Sequence, residues 1–516
     1  MVSGWSGAEG VILELRELTW APSFWDMLNR RRFMNRAGLA AATTGAVLHE
    51  GSQARAAAND GPRPEKIIHL VSDGMSMGTL TCADYLSQIM RKRSLVWPAL
   101  LDRPDVVNAL MNMRSLNSYV TDSAAASTSW GTGSRISNGA IGMLPDGRKL
   151  KTLADVFGAE GWTRGLVTTT EITHATPAGF AANVPKRSMA NEIAVQYLDR
   201  KIEVLLGGGR KYFSSTTRRD RRDLLAGFRL KGYATVNTAA ELEKAPINKP
   251  WLGLFADGHL PYTVDRENSD ELKKDVPTLA TLAKAALKKL NRSKNFILQI
   301  EGGRVDHGCH TCDAVAAFRD QISFDDAVQV CLDYQKAHPE TLIVITTDHG
   351  NGNPGLNAAG GGYVMSPVLL KNISEATASF SVMLGKMGKT PSTAQIKEII
   401  KDGTGYEVST RKAEMFAPFL NKKGDCLYGA MNNPVCQFGQ LMGNHWGIGW
   451  SGASHTGDYV PLTAVGPGAD RFRGFINNTD VFHNYLALTG IDFKNPTMKE
   501  LVAAPDVDEE RVEEYA

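Results

Sequence analysis

Four short aliphatic and β-branched runs punctuate the chain: Ile67 to Val71, Leu166 to Thr170, Phe296 to Ile300 and Leu342 to Thr346. Apolar positions without alternation describe strands buried on both faces. Helical spacing fills the intervals, as in Pro277 to Leu290 with its Leu/Ala repeat and in Ser323 to His338. Strands alternating with helices predict an α/β fold with a mostly parallel central sheet and helices on both faces. Ligands of such sheets bind beyond the carboxyl ends of the strands. Two stretches depart from the pattern. Ser214 to Lys231 is Arg-rich (Arg218, Arg219, Arg221, Arg222) and reads as a solvated helix face. From about Gly360 to His445 the alternation lapses into Gly/Asn-rich patches, which predicts an inserted cap over residues 360–445, near the ligand rim.

The strand ends carry the chemistry. The first run leads into Ser72-Asp73-Gly74, the third into Glu301-Gly302-Gly303 and the fourth into Thr347-Asp348-His349-Gly350. Three acidic residues gathered at one rim repel strongly unless cations neutralise them, so the pattern points to metal. Asp306 and His310 lie four apart and share one face of a helix. Asp348-His349 and the His455 of SHTG add further ligands. Mixed nitrogen and oxygen donors suit Zn²⁺, whereas an oxygen-only subset suits Mg²⁺. Ser123 follows Asp122 at the head of an alanine-rich stretch, where a capped helix start and its dipole favour an anion. A serine hydroxyl is a weak nucleophile at neutral pH, and metal coordination remedies that.

Composition narrows the class. A chain of 516 residues, 43% apolar and 22% charged, is an ordinary globular protein with material for a large core. Its 57 Lys plus Arg nearly balance 55 Asp plus Glu, which argues against a partner selected by phosphate-backbone charge and so against a specific nucleic-acid partner. Six cysteines in this length are not a disulfide framework. Cys426 and Cys436, separated by a Gly/Asn/Pro-bearing loop, are candidates to pair in an oxidising compartment, and sequence alone leaves that open. Cys309 and Cys312 form CHTC around His310, but no second CxxC follows to complete a structural zinc site. Cys82 and Cys331 read as small buried hydrophobes.

Ahead of the first strand, Asn29-Arg30-Arg31-Arg32-Phe33-Met34 precedes an uncharged run from Ala37 to Leu48, which is too short to span a bilayer. Small residues from Ala54 to Ala58 follow, completing the layout of a cleavable export signal. The NRRRFM string resembles a twin-arginine signal, which implies a periplasmic or extracellular protein without a transmembrane anchor. Residues 1–58 are assigned to this address, with Met27 an alternative start to Met1, and 59–516 to the catalytic domain.

The strings VSDGMS, TDSAAAST, TTTEITHATPAGFAANVPKR, LLGGGRKYF, EGGRVDHGCH, TTDHG and HTGDYVPL, in this order from about Ile67 to Pro461, resemble the alkaline phosphatase family. The resemblance implies hydrolysis of small phosphate monoesters through a phosphoserine on Ser123, with two Zn²⁺ and one Mg²⁺. It implies Asp306, His310 and His455 as ligands of the first zinc, and Asp73, Asp348 and His349 as ligands of the second. It places Thr176 and Glu301 with Asp73 at the third site, and Arg187 as a two-pronged phosphate clamp. His174 and His307 stand where the enterobacterial branch has Asp and Lys, which leaves the third metal open. Asn351 occupies a position where family members commonly carry His, and Cys309 one where the animal-type motif usually has another His. Homodimerism is expected from the resemblance alone. The alternatives are a phosphodiesterase of the same superfamily, disfavoured by Arg187, and a non-catalytic exported protein that binds phosphate or metal.

Overall fold

The computed structural model describes residues 63–358, 362–499 and 501, so the export-signal assignment lies outside the described residues. In chain order the strands are β1 (Lys66–Val71), β2 (Val106–Asn112), β3 (Thr163–Glu171), β4 (Val204–Gly208), β5 (Ala234–Val236), β6 (Trp251–Leu254), β7 (Phe296–Glu301) and β8 (Thr341–Thr346). The short β9 (Gly350–Asn351), β10 (Gly355–Leu356), β11 (Ile448–Gly449) and β12 (His455–Thr456) follow, then β13 (Val460–Val465) and β14 (Gly474–Asn477). Ten of them form one sheet in the order β14-β2-β13-β8-β1-β7-β3-β4-β6-β5. All neighbours run parallel except β13, which is antiparallel to both β2 and β8. The expected α/β architecture is therefore present.

The four runs read from the sequence are β8, β1, β7 and β3, side by side at the centre. Their ends are level: Val71 pairs with Glu301 on one side and Thr346 on the other, and Thr168 pairs with Glu301. Alternate residues feed two cores. Ile68, Leu70, Leu298, Ile300, Ile343 and Ile345 join one cluster, and Ile67, Val71, Ile297, Leu342 and Val344 join the other. That period of two explains why the runs read as uninterrupted apolar sequence: both faces are covered. Each such side chain contributes about 1.5–3 kcal/mol relative to exposure.

Helix bounds shift from expectation at their N-termini. The Pro277 to Leu290 stretch is helical from Leu279, because Thr278 caps it by accepting from the Thr281 N–H. The helix expected from Ser323 begins a good two turns earlier, at Ala314, where Asp313 accepts from the Ala316 N–H. The Arg-rich stretch is solvated at Arg219, Arg221 and Arg222, as expected, but those residues are not helical. Only Leu224–Leu230 is helical, and the Arg218 guanidinium is buried, paired with Asp220 and donating to the Tyr212 and Asn191 carbonyls. Backbone carbonyls turned away from water need a donor, and the Arg218 guanidinium supplies it.

Within the 360–445 stretch the described residues carry the helices Ser366–Ser374, Phe380–Met387, Thr393–Thr404, Thr410–Leu420 and Pro434–Trp446. Phe380 and Phe438 stack with ring centroids 4.2 Å apart, and Phe416 and Trp446 complete their apolar centre.

Candidate active site

Ser123 opens the helix Ser123–Thr132, and the Asp122 carboxylate caps it by accepting from the Ala125 N–H at 2.8 Å. This helix meets the helix Ala175–Ala181 backbone to backbone. A Cβ on Gly179 would stand 2.1 Å from Ser127 Oγ, and one on Gly131 would stand 2.3 Å from the Gly179 carbonyl oxygen. Only glycine permits that approach, which brings Ser123 and Thr176 to the rim where β1, β7 and β8 end.

Three groups of ligand-type atoms converge at that rim: Asp306, His310 and His455; Asp73, Asp348 and His349; and Asp73, His174 and Glu301. In the first, the helix Arg304–His310 brings Asp306 and His310 to one face, as their spacing predicts. His310 Nδ1 faces the Ala453 carbonyl at 2.8 Å, and His455 Nδ1 faces the Thr121 carbonyl at 2.9 Å. A ring nitrogen facing a carbonyl carries the proton, so in neutral rings both Nε2 atoms are bare lone pairs. Those two Nε2 atoms are 3.1 Å apart, with Asp306 Oδ2 3.4 Å from the one and Oδ1 3.7 Å from the other. Two lone pairs and a carboxylate aimed at one point are a cation site with its outer hydrogen bonds already in place.

In the second group His349 Nε2 lies 3.0 Å from Asp348 Oδ2, 3.7 Å from Asp73 Oδ1 and 3.2 Å from Ser123 Oγ. The His349 ring stacks on His455 at 3.5 Å, which couples the two groups. Asp348 Oδ1 is occupied by the N–H groups of Gly74 and His349. Gly74 has φ +69°, and a Cβ there would fall 2.5 Å from Asp306 Oδ1, so this glycine allows both the turn and the closeness of the two acids. In the third group Thr176 donates to Asp73 Oδ2 at 3.1 Å, and Thr168 and Thr170 donate to Glu301 Oε2.

The atoms without a protein partner are the informative ones. Asp73 Oδ1, Glu301 Oε1 and His174 Nδ1 are buried without a hydrogen bond among the described residues, and Asp348 Oδ2 has only the His349 ring beside it at 3.0 Å. Orphaned buried acceptors are costly unless something fills the space between them. Asp73 is pushed well above the ordinary carboxylate range by burial and then by the charges of Asp348, Asp306 and Glu301. Burial pushes Glu301 up to about 7. At Asp348 burial is outweighed by His349, and at Asp306 by His310, His455 and His349, so both stay below the usual range. His455 is pushed down to about 4 by burial and by His349, which keeps its ring neutral and able to ligate. The donor set therefore fits bound cations, oxygen and nitrogen in the first two groups and oxygen-rich in the third.

Arg187 donates through Nη1 to Asp122 Oδ2 at 3.1 Å, and its Nη2 lies 3.4 Å from His174 Nε2. The residue that caps the Ser123 helix thus also aims the guanidinium. His174 stands with Asp73 and Glu301 rather than beside them as a mere neighbour. His307 does not join a ligand group: its Nδ1 meets Arg304 Nη1 at 2.6 Å, and its ring packs edge-on against His174 and His259. His259, Thr168 and Thr170 escaped sequence reading. A buried Thr-Thr-Thr run at a strand end is the one signal that pointed to the threonines.

Asn351 adds a positioning contact. Its Nδ2 donates to Asp306 Oδ1 at 2.7 Å, and β9 pairs it with His455 on β12. Asn351→Ala is expected to lower metal affinity at the Asp306 group about ten- to a hundredfold. Competition against a chromogenic chelator checks this, and an unchanged constant removes Asn351 from that role.

A family model described as alkaline phosphatase matches residues 65–491. The chain is 32% identical to alkaline phosphatase 4 of Bacillus subtilis over 84% of its own length and 91% of that protein. The crystal structure of Thermus thermophilus alkaline phosphatase superposes with a TM-score of 0.80 at 34% identity, covering 85% of this chain and 94% of that one. A cold-active alkaline phosphatase from Shewanella sp. superposes with a TM-score of 0.67 at 26% identity, covering 83% and 100%.

Proposed function

The chain belongs to the alkaline phosphatase family and is a metal-binding enzyme that hydrolyses phosphate monoesters, and from that premise we propose that it works through a phosphoserine on Ser123. The observation that carries this reading is the convergence of Ser123 Oγ, His349 Nε2 and the buried oxygens Asp73 Oδ1 and Asp348 Oδ2 on one point. Asp306, His310 and His455 would hold one zinc ion and Asp73, Asp348 and His349 a second, while Asp73, Glu301, Thr176 and His174 would surround a magnesium-type site. Bound there, the ions supply Lewis-acid stabilisation of the attacking and leaving oxygens.

The remaining work belongs to the chain. Asp122 fixes the first turn of the Ser123 helix, so the hydroxyl and the N–H groups of that turn face the phosphate together. Ser123 Oγ attacks phosphorus in line with the departing alcohol oxygen, and water then releases phosphate from the serine. Arg187, held by Asp122, binds two phosphate oxygens and orients the group for both displacements. His174 and His307, kept neutral by burial, add no charge to repel the guanidinium. Among the described residues no helix is long and apolar enough to cross a membrane. The NRRRFM segment supports reading the protein as exported by a twin-arginine route.

Hydrolysis of p-nitrophenyl phosphate at alkaline pH, with and without a chelator, tests the metal-assisted reading; turnover that survives complete metal removal sinks it. Arg187→Ala is expected to weaken competitive inhibition by inorganic phosphate by about 1.5–3 kcal/mol, the scale of charge-assisted hydrogen bonds. An unchanged inhibition constant contradicts the clamp.

A further inference from the structure

Phosphatase chemistry leaves the CHTC string around His310 without a role. Its second cysteine, Cys312, ends the helix Arg304–His310 in a left-handed turn with φ +51°. That turn carries its side chain to the helix Pro434–Trp446, beside the side chain of Cys436. Both residues are buried, in one small cluster with Met431. A Cβ on Gly439, one turn beyond Cys436, would lie 2.6 Å from Cys312 Cβ, so the two backbones meet without an intervening side chain. The sequence leaves a pairing of Cys436 with Cys426 open, and both are free thiols here. Cys426 instead lies at the edge of the cluster, half-exposed, its Sγ directed at the Tyr428 carbonyl at 3.3 Å.

The thiol pair also touches both segments that carry the Asp306 group. Cys436 Sγ stands 3.8 Å from the His310 carbonyl oxygen, and Cys312 Sγ stands 3.6 Å from that of Gly452. Gly452 precedes Ala453, whose carbonyl orients the His310 ring, and lies three residues before His455.

We propose that Cys312 and Cys436 form a disulfide that fastens the helix Pro434–Trp446 to the His310 segment. The two thiols give up two protons and two electrons as their Sγ–Sγ bond forms. A disulfide-bearing oxidant, such as oxidised glutathione or a thiol–disulfide oxidoreductase, accepts them as its own S–S bond breaks into two thiols. The bond closes a loop of about 120 residues, the long-loop case in which a cross-link constrains the unfolded chain most. Its effect on metal retention rests on the reading of Asp306, His310 and His455 as a zinc site; the bond itself does not.

The test incubates the purified, zinc-loaded full chain in a glutathione redox buffer. Urea is held below the unfolding transition, so that buried thiols exchange by local opening. The denatured sample is then alkylated without reduction and its peptides are mapped. The expected result is a Cys312–Cys436 linked peptide, with Cys82, Cys309, Cys331 and Cys426 alkylated. Alkylated Cys312 and Cys436, or a Cys426–Cys436 link, overturns the proposal. C426S should form the same bond, and C436S should leave Cys312 alkylated; loss of the bond in C426S counts against it. Zinc release to a chromogenic chelator should be about fivefold slower from the oxidised form than from the reduced form. Equal release rates sink the coupling to the metal site, whereas the peptide map judges the bond independently of whether that site is rightly read.

Discussion

Ser123→Ala should cut kcat/KM for p-nitrophenyl phosphate about a thousandfold or more, because it removes the atom that accepts the phosphoryl group. The fold should survive the change. The helix Ser123–Thr132 is capped by Asp122, and the Ser123 hydroxyl makes a single described contact, with His349 Nε2 at 3.2 Å. Alanine is already the next three residues and is favoured in helices. The acid-stable phosphoenzyme that brief incubation with labelled substrate traps in the parent should be missing from the variant, at unchanged metal content and melting temperature. Near-full activity, or a phosphoenzyme that persists in the variant, would mean that another residue is the nucleophile. A small remaining rate is expected, since Arg187 and the bound cations still orient the phosphate for direct attack by water.

The central strands were legible because burial on both faces leaves few polar positions: Phe296 to Ile300 is broken only by Gln299, and Leu342 to Thr346 only at its last residue. The outer strands were not legible, for several physical reasons. In β2 Asn108 and Leu110 are exposed, so the run breaks into alternation. β4 ends in glycines, which weaken a strand signal, although a Cβ on Gly207 would meet Thr168 of β3 at 2.8 Å and one on Gly208 the Gly258 carbonyl oxygen of the loop after β6 at 2.1 Å, so both serve close packing. β5 has three residues, β14 is half-exposed, and the antiparallel β13 contains Pro461. The ligand types and their spacing could be read directly, since Asp306 with His310 and Asp348 with His349 are close in sequence. What orients them could not. The carbonyls of Ala453 and Thr121 that set the two imidazole tautomers are backbone atoms, which every residue possesses. That Cys436 lies beside Cys312 depends on where the helix Pro434–Trp446 docks, which has no local signature in the sequence.

Removing the metals should destabilise the protein much more at pH 9 than at pH 5.5. In the metal-free fold Asp73 and Glu301 are acids raised above their ordinary values, Glu301 to about 7, chiefly by burial. The unfolded chain loses those protons near pH 4, so between about pH 4 and 7 these two carboxyls hold more protons in the folded form than in the unfolded one. Their contribution to metal-free stability therefore falls as pH rises through that window and is lost above it, whereas the buried rings of His455 and His174, neutral with or without metal, cancel from the comparison. Asp313 and Asp320, each raised to about 7, and Asp325, raised to about 6, impose a similar decline through burial, but with or without metal. The difference between loaded and stripped protein thus isolates the rim. Cations replace protons there, and each site at a thousandfold excess over its dissociation constant adds about 4 kcal/mol to the folded state. Low pH shrinks that gain, because protons compete for the same oxygens and imidazoles. Tryptophan-fluorescence melting should show a gap between loaded and stripped protein of about 10 °C at pH 9, narrowing to a small fraction of that at pH 5.5. A gap of equal size at both pH values would show that the acids at the strand ends are not neutralised by the metal.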